Sequence, residues 1–304
     1  MYRFIQSDLF TFTVGPENKS FIVHSKAVAG TSPFFEKLVN NGMNESISRS
    51  AELKEVDPET FIRFLEYAYR RDYTIPLWRQ DHDTADGDGL STQRNRLQEL
   101  EPMVSDEDAA VQPSTTNWGW ANSNAAPSAF GAMPSNSTST LVSRKAKKHA
   151  KSQVGSRAAF NKREYIHPID NTSKLLRVGF EPVPNTSPTQ NFTGVFLAHA
   201  CLYTLANMRM IQPLRDLALH KLHKTLVSFE LYPERLGDVA ELARYAYEHG
   251  EDRSEDGQID ALRDMVVNYV ACEMKVLGKH AEFRHLMDME GEFAGDFWDI
   301  VSQE

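Results

Sequence analysis

The chain has 304 residues, a formal net charge of −9 and a pI near 5.6. That length accommodates one large or two modest domains. The acidic balance excludes a protein whose whole surface grips nucleic acid, because such domains are strongly basic. Apolar residues make up 41% of the chain, a little low for a purely globular sequence, so part of it is expected to carry no core. Cys201 and Cys272 lie far apart, which excludes a disulfide framework and a zinc site built on cysteine pairs. Both are read as buried thiols in a reducing compartment. The opening MYRFIQSDLF lacks a charged-then-apolar signal architecture. No apolar run approaches the roughly 20 residues that span a bilayer, so a soluble protein of the nucleus or cytoplasm is expected.

In chain order, Ser7 to Val14 shows partial alternation, with Leu9, Phe10, Phe12 and Val14 apolar. The cluster Gly15-Pro16-Glu17-Asn18-Lys19 reads as a turn, and Ser20 to His24 as a second strand. Lys26 to Ala29 fits a short helix. Pro33 to Asn40 fits another, with Thr31 and Ser32 as candidate caps and Gly42 as its stop. Ala51 to Val56 reads as a further strand. Asp57 then caps a helix carrying Phe61, Phe64, Leu65, Ala68 and Tyr69 at i, i+3, i+4, i+7 and i+8 spacing, a wide apolar stripe facing a core.

From 80 to 190 the composition turns to Ser, Asn, Thr, Ala, Pro and Gly. Too little apolar surface is available there to offset chain entropy, so a disordered insertion is expected, with local packing around Tyr165 to Phe180. Order is expected again from Asn191. Helices are predicted over Phe192 to Met208, Met210 to Leu226, Tyr232 to Gly250 and Ile259 to Leu277. A short helix through His280 to Met289 follows, then a Gly-broken segment with Phe293, Phe297 and Trp298.

Several clusters are candidate sites. The basic run Arg144, Lys145, Lys147, Lys148 and Lys151 is a candidate nuclear import signal, against a solvated linker block. Trp118-Gly119-Trp120 is either a chance pair or a docking motif. Asp81 to Asp88 fails the spacing of a calcium loop. His220 and His223 are three apart on one helix, but no further ligand is placed to complete a metal site, and they read as surface histidines. Phosphate-cradling loops, a nucleophile elbow and a His-Glu-x-x-His helix are absent from the sequence. No catalytic residue, metal or cofactor is proposed.

The first globular stretch resembles the BTB/POZ family, in the form found in many fungal proteins. Ser7-Asp8-Leu9 resembles the opening of its first strand. Phe21 to Lys26 resembles its second strand and the His that closes it. Ser32-Pro33-Phe34-Phe35 resembles its SPxF helix start, and Gly42 to Ser46 the loop that follows. Asp57 to Phe61, with Leu65, Tyr67 and Tyr69, resembles the next helix. Leu205-Ala206-Asn207-Met208, followed by Ile211 and Leu214, resembles the family's closing helix pair, with Met208 where an aromatic residue is usual.

The resemblance implies an α+β fold: a small three-stranded sheet with a helical cluster, interrupted by a disordered insert and followed by an α-helical C-terminal region. Its first part would span 1–79, the insertion 80–190, the last family helices 191–226 and a helical extension 227–304. It also implies a non-enzymatic interaction module that self-associates, serves a cullin scaffold of ubiquitin ligases as an adaptor, or binds corepressors. The residues implied as partner-binding are Asp8, Phe34, Phe35, Met43 and Glu45, with Met43-Asn44-Glu45 matching the family's cullin-contacting hydrophobic–x–Glu pattern. Only six residues precede Ser7, so the strand-swapped dimer of some members is not expected, nor is sequence-specific nucleic-acid binding.

Overall fold

A computed structural model describes residues 2–42, 44–81, 157–166, 179–289 and 291–302. A four-residue helix α1 (Tyr2–Ile5) precedes a hairpin. The alternating stretch forms β1 (Leu9–Val14), paired antiparallel with β2 (Lys19–His24) so that Val14 faces Lys19 and Leu9 faces His24. Gly15 (φ 74°) and Asn18 (φ 55°) supply the left-handed turn between them. Gly15 has a second constraint, since a Cβ there would lie 3.0 Å from the Pro58 ring. β3 (Ser50–Leu53) runs parallel to β1 on its other side, giving the order β2-β1-β3. It is shorter than the Ala51 to Val56 strand read from sequence, because the Val56 amide turns back to the Leu53 carbonyl.

Alternation assigns the faces of this sheet. Phe10, Phe12, Val14, Val23, Ala51 and Leu53 are buried beneath it, whereas Leu9, Thr11, Ile22 and His24 lie on the opposite face. The buried face is covered by α2 (Ser25–Ala29), α3 (Pro33–Asn40) and α5 (Pro58–Arg70), with α4 (Asn44–Ser48) bridging α3 and β3. The caps are those the sequence offers. Ser32 Oγ accepts the Phe35 amide at 3.3 Å, and Asp57 Oδ2 accepts the Thr60 amide at 2.8 Å. The stripe of α5 is rotated from the expected one: Phe61, Phe64 and Ala68 are buried together with Thr60 and Tyr67, while Leu65 and Tyr69 lie at its margin. The Tyr69 hydroxyl there accepts the His24 amide at 3.0 Å.

Beyond Arg71 the chain runs extended to β4 (Arg79–Gln80), which pairs antiparallel with β5 (Gln190–Asn191). The Asp81 amide continues the ladder to the Thr189 carbonyl at 2.8 Å. The two stretches flanking 82–188 are thus zipped together, and neither strand was expected from sequence. The expectation of disorder over 80–190 is corrected within the described residues. Phe160 and Ile166 are core residues, Asn185 is buried, and 157–161 are helical. The low apolar content hid them because a few well-placed side chains suffice when a preformed groove receives them. The local packing expected around Tyr165 to Phe180 is present at its two ends, Tyr165–Ile166 and Phe180, with 167–178 outside the described residues.

Order resumes in α6 (Thr193–Met208) and α7 (Gln212–Ser228). A 3₁₀ turn (Pro233–Arg235) leads into α8 (Leu236–His249), followed by α9 (Ala261–Cys272), α10 (Met274–Leu277), α11 (Ala281–Met289) and α12 (Gly291–Ser302). The single helix expected over Ile259 to Leu277 is two. They divide at Glu273, whose amide bonds the Tyr269 and Val270 carbonyls. The expected Gly-broken tail is one continuous helix. Phe293 and Phe297, one turn apart, are buried on one face, worth about 2–3 kcal/mol each. That exceeds the cost of about 1 kcal/mol for Gly295 within a helix. Among the described residues no helix is long and apolar enough to cross a membrane.

Two cores result, and α6 and α7 belong to both. Leu202, Leu205, Ala206, Ile211, Leu214 and Leu217 close the core under the sheet. Phe196, Ala200, Tyr203, Ala218, Leu222 and Leu226 build the helical core with α8, α9, α11 and α12. A helix buried on nearly all sides is apolar nearly all round, as α6 is.

Between the cores lies a polar seam. The Tyr73 hydroxyl and His199 Nδ1 are 2.7 Å apart, and both side chains are fully enclosed. The buried Lys221 ammonium pairs with Asp72, donates to the Tyr73 carbonyl at 2.9 Å and sits 4.2 Å from the Tyr73 ring centroid. Burial, aided by the Lys221 and Arg63 charges, lowers the His199 pKa to about 3, so the ring stays neutral. Burial likewise lowers the Lys221 pKa, against the opposing pull of Asp72.

Candidate partner-binding surface

The residues singled out as partner contacts fall at two depths. Phe35 is 0% exposed and stacks on Phe64 with ring centroids 4.9 Å apart. The expectation that it meets a partner is therefore corrected: its ring belongs to the core under the sheet. Its motif places it there because Ser32 caps the helix and Pro33 starts it, which turns the second Phe inward. Phe34 is half-buried. It meets Phe35 edge to face at 5.2 Å, and the Arg209 guanidinium lies 4.7 Å from its ring centroid. Arg209 in turn pairs with Glu55, so α6 reaches back to cover the α3 start.

At the other end of α3, Asn41 and Gly42 (φ 70°) stop the helix, and Gly42 stands in open space. Met43 lies outside the described residues. Glu45 is half-buried in the first turn of α4, and Ile47 on the same short helix is 74% exposed. The next connection, Arg49 (φ 56°), is held in the left-handed region, with its carbonyl accepting the Thr11 amide at 2.9 Å. Its guanidinium pairs with Asp8 at 2.9 Å. The structure thus brings Asp8, at the start of β1, against the residue that follows α4. Both partners are well exposed, so the pair orients the edge more than it stabilises it.

Three exposed apolar side chains were missed in the sequence reading. Leu9 is 55% exposed and Ile22 67%; they are diagonal neighbours on the outer face of the sheet. Ile47 is the third. The period-2 rule could have found Leu9 and Ile22, since each is out of phase with the buried Phe10, Phe12 and Val23 and the half-buried Phe21. Ile47 carried no such signal, because a five-residue helix is too short for a period to show.

A groove of about 430 Å³ opens between α5, the 76–79 stretch and α6, lined among others by Asp57, Arg63, Leu77, Arg79, Leu197 and Cys201. Its charges are mixed. Burial raises the Cys201 thiol pKa, which leaves it protonated and unreactive near neutrality. Cys272 is buried and forms no disulfide with Cys201. His220 and His223 are buried, not on the surface as expected: α7 is sandwiched between the two cores, so both of its faces are covered. Among the described residues no three His, Cys, Asp or Glu side chains are gathered as metal ligands would be. The basic run from Arg144 to Lys151, Trp118-Gly119-Trp120 and the acidic run after Asp81 lie outside the described residues.

Compared with known proteins, the chain matches the family model of the BTB/POZ domain over residues 4–94. No curated protein and no solved structure matches it.

Proposed function

We propose, from the premise that this chain carries a BTB/POZ domain, that it works by protein binding alone and acts as a substrate adaptor for a cullin-type ubiquitin ligase. The observation that carries this reading is the α3–α4 edge. Gly42 breaks the helix, Met43 and Glu45 follow in the hydrophobic–x–Glu pattern, and Ile47 projects into solvent beside the Asp8–Arg49 pair. A Met side chain and the exposed Ile47 suit an adaptable apolar contact, while Glu45 and Asp8 give the charges that set register. α6 and α7 act as the closing helices of the domain, since they complete the core under the sheet although they follow the 82–188 stretch in sequence. α8 to α12 form the extension available for a client.

Calorimetry with a purified cullin N-terminal domain tests this. Binding at micromolar Kd or tighter, lost in the Met43→Ala/Glu45→Ala double variant, is the expected result. Absence of binding by the folded wild-type chain rejects the adaptor reading. It would favour instead a nuclear scaffold for corepressor or chromatin factors, for which the basic run from Arg144 to Lys151 is the motive. Nuclear accumulation of tagged protein, abolished by neutralising that run, is the corresponding check.

A further inference from the structure

Residues 157–166 are a ten-residue piece of chain seated in a groove between α7 and α9. No described residue precedes it back to Asp81, and none follows it until Gly179. Three of its side chains meet the α7/α9 groove at its centre and two ends, while Tyr165 packs on the His223 ring at 5.2 Å and Ile166 is buried in the core under the sheet. Phe160 is the anchor: it is buried, 4.9 Å from the His223 ring and 5.6 Å from the Tyr269 ring by centroids. Its carbonyl is 2.7 Å from His223 Nε2, and because a carbonyl only accepts, Nε2 is the protonated nitrogen.

Arg157, one helical turn before the anchor, pairs with Glu273 at the end of α9. It lies 5.0 Å from the Tyr269 centroid and donates to the Leu226 carbonyl at 3.3 Å at the end of α7. Arg163, three residues after the anchor, pairs with Asp264 in the first turn of α9 at 2.7 Å. The segment thus runs antiparallel to α9, with an aromatic residue in an aromatic-lined slot and a basic residue on an acidic one at each end. A buried aromatic anchor with charged pairs at its rim is the anatomy of a peptide-recognition site.

We infer that the α7/α9 groove is a peptide-recognition site for a helical turn of the form Arg-x-x-Phe-x-x-Arg, filled in cis by residues 157–166 and available to a partner protein that presents the same chemistry. The slot accepts an aromatic ring, and Glu273 and Asp264 select basic flanks. Acidic or apolar flanks would leave those two carboxylates unpaired at the rim. The cis segment sets the threshold for entry. Tethered to its own groove, it acts at an effective concentration on the order of millimolar, so a competing segment gains access only when it binds better or when the cis contacts are weakened.

The test uses the full chain and a fluorescein-labelled synthetic peptide with the sequence of residues 155–168. Anisotropy titrations are run against the wild type and against an Arg157→Glu/Phe160→Ala variant, whose own segment can no longer compete. Saturable binding to the variant, at least tenfold tighter than to the wild type and lost when the peptide carries Phe160→Ala, is expected. A variant with native circular dichroism and a cooperative melt that binds no peptide would overturn the inference. So would equal binding of the intact and Phe160→Ala peptides.

Should that variant fail to fold, a charge-swapped pair decides. The peptide carrying Arg157→Glu is expected to bind the Glu273→Lys chain and not the wild type, and its failure to bind a folded Glu273→Lys chain rejects the site. Light scattering on the wild type separates the occupants. A dimer that is lost in Arg157→Glu/Phe160→Ala would mean that a second copy's segment fills the groove, overturning the assignment to a different protein.

Discussion

The two cores of this protein share α6 and α7 but are built by different means. The core under the sheet is aromatic, with Phe10, Phe12, Phe35, Phe61 and Phe64 fully enclosed, and its buried polar residues outside α6 and α7 are the uncharged Ser25, Ser32 and Thr60. The helical core encloses aromatic rings too, among them Phe196, Tyr269 and Phe293, but it is laced with buried charge: Arg235, Asp238, Arg263 and Asp296 lie in or beside α8, α9 and α12. Each ties one element to another. Asp238 on α8 accepts the Phe192 amide at 2.7 Å and so caps α6 from outside. Asp296 on α12 accepts the Tyr247 hydroxyl at 2.8 Å. Arg263 on α9 donates to the Tyr247 carbonyl at 2.9 Å and the Gly250 carbonyl at 3.0 Å, closing the end of α8. A sheet specifies its own partners through register, whereas helices packed on apolar stripes can slide. Buried ionic ties limit that sliding, because a misplaced charge is left unpaired.

This contrast is open to direct measurement. Truncating an anchor of the core under the sheet should have the largest effect. Phe35→Ala is expected to cost about 3–5 kcal/mol in urea unfolding, through lost burial and the cavity left against Phe64. A cost near 1 kcal/mol would show that this core collapses around the gap. In the helical core the comparable loss should come from a charge. Arg263→Ala leaves two carbonyls and the Glu292 carboxylate without their donor, for an expected cost of about 3 kcal/mol in the same assay. A neutral outcome would mean that apolar packing alone holds α8 and α9.

The seam between the cores should set the acid response. His199 is neutral when folded and takes a proton below about pH 6.5 when unfolded, so the unfolded chain binds more protons between that pH and about 3. Stability should therefore fall as the pH drops through this window, by about 2 kcal/mol between pH 7 and pH 5 for this one residue. His199→Gln should flatten the slope, as read from urea midpoints at the two pH values. An unchanged slope would place the acid-sensitive groups elsewhere. Asp8→Asn is expected to have the smallest effect, below about 1 kcal/mol, since its pair with Arg49 is exposed and screened. A larger loss would make that edge a structural element and not an orienting one.

The readings that succeeded and failed follow the same division. The hairpin, the Ser32 and Asp57 caps and the apolar side of α5 were legible because each is encoded within a few residues, and the order of those pieces was enough for the family resemblance. The candidate site was not legible as an arrangement. Asp8, Phe34 and Glu45 were named one by one with no contact between them, and Phe35 was assigned outward although its phase in α3 turns it inward. Histidines on α7 were read as surface residues because one helix shows its period but not how many of its faces are covered.

The sequence by itself determined where short elements begin and end, that the N-terminal stretch is an α+β unit, and that the middle of the chain is poor in core-forming residues. Caps, turns and periodicity act over one to four residues and do not depend on the rest of the molecule. Only the tertiary structure decided that β4 and β5 zip the flanks of 82–188 together and that α6 and α7 close the core begun by the sheet. It also decided that Phe160, isolated in a polar stretch, is a core residue. Each of these rests on a contact between residues tens to more than a hundred positions apart. Such a contact is stabilised by burial that exists only once both sides are assembled, and no local pattern records it.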